Sequence, residues 1–591
     1  MPEQREGTCM ALQIRSAIQD KNLGPILGIH ADPTASERKK APGGSCSAVK
    51  LGLVTRLGPH CRYKRGTNGA QTPLWPEVFR VTRRNPVPPP ISTLSLRGPE
   101  AISATARGLD MELGPLNLYL AFLTHTNVQL YTWKQFLQSI AKLPVKVRRF
   151  SIRLAFEFQD YFLAFVTLDN VFQPNWYLPS GPIPFELSIP DPVHTWLTFL
   201  DQVTQAIMAR VNSPSCQRDQ VLAIQVVRDM KIFHGIGIYV GLETFVMAGI
   251  SPFLTEAEVF DCPSRTARLC LAYWEFVNMS YSPELWEKLL RPAIHRGVLA
   301  PTVKQRKNYA DWLVVYGKDR IKCTFREASL IDKYIHIINS IHQDGNHGIF
   351  HVRTGHEASL FDVFEPARIR KSLKPDSQPD LGHLVFGNRM WVQLGRSVPS
   401  VLDPLTHMFQ SRGLGDGAPT YLLEEVYTSL FDDSRAFFRP TYSYHDRHQI
   451  WTMTPVFPPN SFPTSEVALN WENEYSMTLQ EVLTKQAKQN SRSTSDQRHC
   501  LSSELGDKQE RKVLVLCWPP YSSRFRIVEA HERESKLFKN IVSKNTTDVA
   551  IGPLEYCGNG RMVKDSHGKL ILTVCWYDPG SLSKGLVSRE Y

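Results

Sequence analysis

The sequence lacks the linear signatures of the commonest catalytic and cofactor sites. It contains no GxxxxGK[ST] phosphate loop, no HExxH zinc pair, no GxSxG nucleophile elbow and no CxxC pair. Those absences set aside the best-known nucleotide, metalloprotease, hydrolase and redox arrangements, leaving only enzymes without a linear motif. No cofactor is indicated, and no metal site is assigned. An apolar run after Met1-Pro2-Glu3-Gln4-Arg5-Glu6 is also missing, which argues against a cleaved secretory signal. The eleven cysteines are odd in number and follow no framework, as expected of reduced thiols in a cytoplasmic or nuclear protein.

A membrane-spanning run is absent too. Residues 232–254 have the length, but His234, Glu243 and several glycines and prolines interrupt them. A carboxylate at the middle of a bilayer costs roughly 3 kcal/mol. The stretch is therefore expected to be buried core, with no membrane partner. Within it, Gly235, Gly237 and Gly241 miss the GxGxxG register by one place and read as glycines that allow close packing.

What is present is a chain able to fold. Its 591 residues are 42% hydrophobic and 10% aromatic, enough for roughly two to four domains. The net charge of +11 is uneven: residues 1–110 carry 16 Lys/Arg and 8 Asp/Glu. That region, rich in Gly, Pro, Ser and Arg, reads as a mostly disordered basic arm. Residues 111–460 read as the main globular region, with a subdomain division near 262. A linker is expected over 461–511 and a small β-rich tail over 512–591.

Periodicity gives the fold class. Phe150, Ile152, Leu154, Phe156 and Phe158 alternate with mostly polar residues, and a second apolar run follows Gln159-Asp160. This predicts an antiparallel hairpin with one polar face. Helical spacing appears over 132–143, 193–211, 263–296 and 401–410. Strands are expected at 117–123, 220–227 and 384–393, with another hairpin around 437–451. Hairpins early, helices in the middle and no βαβ alternation make the chain α+β.

Three constellations carry chemistry. The first is the histidine series His336, His342, His347, His351 and His356, with Glu357 and Asp362. On a helix His336 lies opposite the apolar face, while His342 lies at the edge of that face, about 120° from His336. His347 and His351 favour a strand, where they stand roughly 13 Å apart, too far to share one zinc ion. His351, His356 and Glu357 remain as a set joined across a turn. The second is His445, Asp446 and His448 at a hairpin tip, suited to acid–base work. Nothing in either set selects a nucleophile. Cys323, Cys517 and Cys575 sit in apolar runs and read as inert core thiols.

The third is the run from Lys288 to Arg326, with ten Lys/Arg against Asp311 and Asp319. Ser282 and Pro283 start one helix, and Thr302 with Gln305 opens a second. Arg291, Arg296, Lys304, Arg306, Lys307, Lys318, Arg320 and Lys322 are the expected contacts to nucleic acid or another polyanion. Arg368, Arg370, Lys371 and Lys374 extend such a surface if they lie beside it. Phe437, Phe438, Tyr442, Tyr444 and Trp451 then offer rings on which bases stack. Two alternatives stay open: an enzyme using one of the His/acid sets, and a non-catalytic interaction scaffold.

Overall fold

A computed structural model describes residues 4–32, 91–122, 126–138, 140–142, 151–167, 172–252, 254–295, 320–331, 362–374, 379–399 and 401–415, with shorter pieces between and beyond them. The chain is α+β, built from helices and antiparallel sheets. It divides into two units. The first comprises residues 1–191, 277–310 and 550–591, and the second residues 192–276 and 311–549.

The first unit is organised on two sheets. Its described strands include β1 Gly28–Ala31, β2 Thr55–Arg56, β3 Ile102–Thr105, β4 Gly108–Glu112, β5 Asn117–Phe122, β6 Thr126–Thr132, β7 Ser151–Glu157, β8 Tyr161–Thr167 and β9 Phe172–Tyr177. One sheet has the order β2-β1-β7-β8-β6 and the other β9-β5-β4-β3, with every pairing antiparallel. The β7–β8 hairpin turns at Gln159-Asp160, where the Phe158 amide donates to the Tyr161 carbonyl at 2.8 Å.

That hairpin differs from its sequence reading in one respect: it has no wet face. Arg153 and Ala155 are buried along with Leu154 and Phe156. The helix α2 Trp133–Gln138 lays Phe136 flat on Phe162 at 4.0 Å, and His30 meets the same ring edge-on. The opposite side packs into a core with Met10, Ile14, Ile29, Leu109, Met111, Leu118 and Leu130.

Met10 and Ile14 belong to α1 Gln4–Lys21, inside the stretch expected to lack order. The helix escapes notice because its buried side includes Arg5, Glu6, Thr8 and Gln13 as well as apolar residues. Gln13 satisfies its amide on the Val128 carbonyl at 3.1 Å. Spacing of four between Met10, Ile14 and Ile18 is the signal that marks it.

The second unit is mainly helical among its described residues. It contains α3 Trp196–Val211, α4 Ala223–Asp229, α5 Ile238–Met247, α6 Glu256–Phe260 and the part of α7 Pro263–Ser280 that runs to Phe276, then α8 Gly382–Phe386, α9 Asn388–Gln393 and α10 Pro404–Ser411. Strands expected at 220–227 and 384–393 are thus helices instead. Both hold short apolar runs whose buried part is confined to a few residues, such as Ala223, Ile224, Val226 and Val227 or Leu384, Val385 and Phe386, too short for periodicity to separate strand from helix. Gly387, at φ 80°, breaks the second into α8 and α9.

The apolar span 232–254 is core, as expected. Gly241 lets α5 pack on Ile224 and Ile236. Gly249 has φ +68° and lies so close to the backbone of Phe364 that no side chain fits there. The Glu243 carboxylate, 1% exposed, accepts the amides of Val314 and Val315 at 2.7 Å each. A buried carboxyl group is tolerated when it is hydrogen-bonded in this way. Among the described residues no helix is long and apolar enough to cross a membrane.

Candidate nucleic-acid interface

The run 288–326 does not form a helix pair throughout its described residues. A π-helix spans Glu284–Leu290, followed by a 3-10 turn over Arg291–Ala293. The strands Ile294–His295 and Val298–Leu299 then pair as a small hairpin where a connecting turn was expected. The side chain of Gln129 on β6 holds it, accepting from the Leu299 amide at 2.8 Å. These residues belong to the first unit, and those from Asp311 onward to the second.

In the first unit, Lys288 and Arg291 are exposed, and each pairs with the carboxylate four residues earlier, Glu284 at 3.2 Å and Glu287 at 2.8 Å. Such exposed pairs contribute little and exchange partners readily. Arg296, Lys304, Arg306, Lys307 and Lys318 lie outside the described residues, as does the side chain of Arg320.

The second unit is more informative. Arg320–Cys323 is a strand, β10, with Lys322 exposed between buried Ile321 and Cys323. A helical turn follows immediately. Thr324 accepts the Glu327 amide at 3.2 Å and the Glu327 carboxylate accepts the Thr324 amide at 3.0 Å, a reciprocal cap.

Residues 322–327 are stitched to 364–374 by side chains. Thr324 donates to Glu365 at 2.5 Å, and Arg326 donates to the Phe364 carbonyl. Arg368 grips Glu327 with two nitrogens and donates to the Lys322 carbonyl at 2.8 Å. Arg326 and Arg368 are therefore committed to the fold rather than presented to a ligand. Just beyond, Glu275 of α7 accepts the Ser372 amide at 2.9 Å. Burial pushes the Glu275 carboxyl up to about 7, against the downward pull of Ser372, Lys371 and Lys374. This buried carboxylate fixes the turn from which Lys371 and Lys374 project into solvent.

The other side of β10 carries the aromatic stretch. The strand β11 Phe437–Pro440 pairs antiparallel with β10, placing Phe438 opposite Lys322. The expected hairpin also forms, from β12 Tyr442–Asp446 and β13 Gln449–Met453. Basic strand, basic turn and aromatic strand thus meet at β10. Around it stand six cations, Lys322, Arg326, Arg368, Arg370, Lys371 and Lys374, against Glu275, Glu327 and Glu365.

The histidine sets fare differently. His336, His342, His347, His351, His356, Glu357 and His448 lie outside the described residues; His445 and Asp446 are on β12 with their side chains likewise outside. Asp362, the acid that ended the first set, is fully buried and occupied. Arg265 donates to both its oxygens at 3.1 Å, and Arg268 donates to one of them. Among the described residues no cluster of His, Cys, Asp or Glu is arranged to hold a metal. Cys323 is buried, as an inert core thiol should be.

One element of the β10 region went unnoticed in the sequence. Phe325, directly after the cap residue, is 65% exposed. Spacing alone does not reveal it, since Ala328, three residues on and so a neighbour on the helix surface, is buried. In the first unit a shallow cleft lined by Glu6, Cys9, Gln13, Asn127 and Trp286 offers little chemistry. Burial and Glu6 raise the Cys9 thiol well above its ordinary range, so it is not a nucleophilic thiolate.

No family model and no curated protein matches the chain. Among solved structures it is similar to the LlFpg protein in complex with a THF-DNA and an inhibitor, at 15% identity and TM-score 0.32, over 54% of this chain and 88% of that one. It is also similar to MutM in complex with carbocyclic 8-oxo-G containing DNA, at 14% identity and TM-score 0.31, with the same coverage. A third is Lactococcus lactis formamidopyrimidine DNA glycosylase bound non-covalently to DNA containing an AP site, at 15% identity and TM-score 0.27, over 38% and 70%. Scores this low do not establish a common fold.

Proposed function

We propose that the chain binds nucleic acid, or a polyanion of similar charge density, through the cationic face centred on β10. The supporting observation is the convergence at one strand of three stretches far apart in sequence: 320–323, 366–374 and 437–440. Lys322, Lys371 and Lys374 are the phosphate contacts, with Arg320 and Arg370 beside them. Arg291, Arg296, Lys304, Arg306, Lys307 and Lys318 are further contacts in this reading. Lysine suits the role because its ammonium is a mobile point charge that meets phosphate without demanding a fixed fork geometry. Such contacts position a backbone and carry no sequence information, so binding is non-specific and weakens with salt.

The test is fluorescence anisotropy of a labelled oligonucleotide titrated with the full chain over a salt series. Replacing Lys322, Lys371 and Lys374 by Glu should weaken binding at least tenfold. On a single strand it should reduce the salt slope by about 2, from roughly 0.7 per phosphate contact. Replacing Lys304, Arg306 and Lys307 by Glu tests the first unit's share in the same way. Unchanged affinity and slope in the β10 variant overturns the proposal.

A further inference from the structure

Phe325 is one of several large apolar residues left exposed among the described residues, and its setting is what distinguishes it. A phenylalanine with 65% of its surface exposed gives up much of the hydrophobic gain that burial of its ring provides. The residues on either side of it in the chain are tied down by hydrogen bonds. Thr324 before it is anchored to Glu365 and Glu327, and Arg326 after it to the Phe364 carbonyl. Behind it, Ala328, Leu330 and Ile331 are buried. The backbone is fixed and the ring projects from it.

Its surroundings suggest a use. Lys322 lies three residues earlier, and Arg368 ties that residue to the turn bearing Lys371 and Lys374. Three residues of chain reach at most roughly 10 Å, so the ring and the Lys322 ammonium group fall within the span of a few nucleotides. A rigid exposed ring beside cations is the combination that grips unpaired bases: the charges track the backbone while the ring takes a base on its face. In a duplex, base faces are covered by their neighbours and only edges and phosphates are presented. A projecting phenylalanine reaches a duplex base face only by unstacking a step, at a cost of about a few kcal/mol that an unpaired base does not demand.

Resting on the reading of β10 as a phosphate-binding face, we propose that its ligand is single-stranded nucleic acid and that Phe325 is the stacking platform. An exposed ring that instead docks a protein is a separate outcome of the same experiment.

Full-length chain is titrated against oligothymidine and against a duplex of equal length, at one salt concentration and then over a series. The expected result is tighter binding to the single strand. Phe325→Ala should weaken it at least about fivefold, the low end for losing one stacked base. The duplex affinity and the salt slope should stay unchanged, and Phe325→Trp should restore the single-strand affinity. Because the ring is exposed, the thermal midpoint should not move, which separates loss of stacking from loss of fold. Equal affinity for duplex and single strand, or an alanine variant that binds oligothymidine normally, overturns the inference. If salt-sensitive binding persists in that case, the phosphate-binding reading survives and only the stacking fails. If the lysine variants also leave binding untouched, both fall, and an exposed ring that docks a protein takes their place.

Discussion

Two basic pairs in the second unit have the same spacing and opposite fates. Arg265 and Arg268 are separated by three residues, as are Lys371 and Lys374. The arginines have no exposed surface and share the Asp362 carboxylate, with further bonds to the carbonyls of Glu258, Ala248 and Ser264. The lysines stand in solvent on a turn whose backbone is fixed from within by Glu275. Identical counts of charge thus divide into a structural set and an available set. The divider is burial with a partner, not charge density along the chain. Arginine serves inside because its planar fork makes several directed bonds at once, and lysine serves outside because its charge stays hydrated and mobile.

The comparison is broken most severely by Asp362→Ala. Two guanidinium groups would then be buried without their carboxylate, a loss expected to cost about 3–5 kcal/mol. Denaturant unfolding measures it, and a cost below about 1 kcal/mol contradicts the structural role of the pair.

Glu275 sharpens the contrast through pH. Its folded value of about 7 lies above its ordinary 4.5, chiefly from burial. Between those values the folded chain keeps a proton that the unfolded chain has released. Stability therefore falls as pH rises through that window, with the full penalty above about 7. Glu275→Gln should flatten this part of the profile in urea unfolding followed across pH; an identical slope in the variant rejects the assignment. The smallest effect belongs to the first unit's surface. Lys288→Ala breaks an exposed pair with Glu284 and should change stability by less than about 0.5 kcal/mol.

The same contrast explains what was legible in the sequence. Strand alternation from Phe150 to Phe158 revealed the β7–β8 hairpin, because a period of two in a long run leaves little choice. The α+β class followed from such runs. What alternation did not reveal was the second buried face, since Arg153 resembles a solvent residue until the rest of the sheet surrounds it. The apolar run from Leu269 to Ala272, directly after Arg268, signals a helix covered on all sides, and with it a reason for Arg265 and Arg268 to be inside. Of the β10 region, the basic pieces and the aromatic strand were visible, but their meeting depended on one long-range ladder and one arginine bridge. Neither leaves a local trace. Phe325 passed unnoticed because exposure is a property of the assembled neighbourhood.

The claim at the centre is that the exposed lysines around β10, unlike the buried arginines, serve a ligand. The most direct measurement compares the salt dependence of oligonucleotide binding by the native chain and by the Lys322→Glu, Lys371→Glu, Lys374→Glu variant, with thermal unfolding of both. The account predicts an unchanged midpoint, at least tenfold weaker binding and a salt slope lowered by about 2. Equal slopes and equal affinities in a folded variant would contradict it.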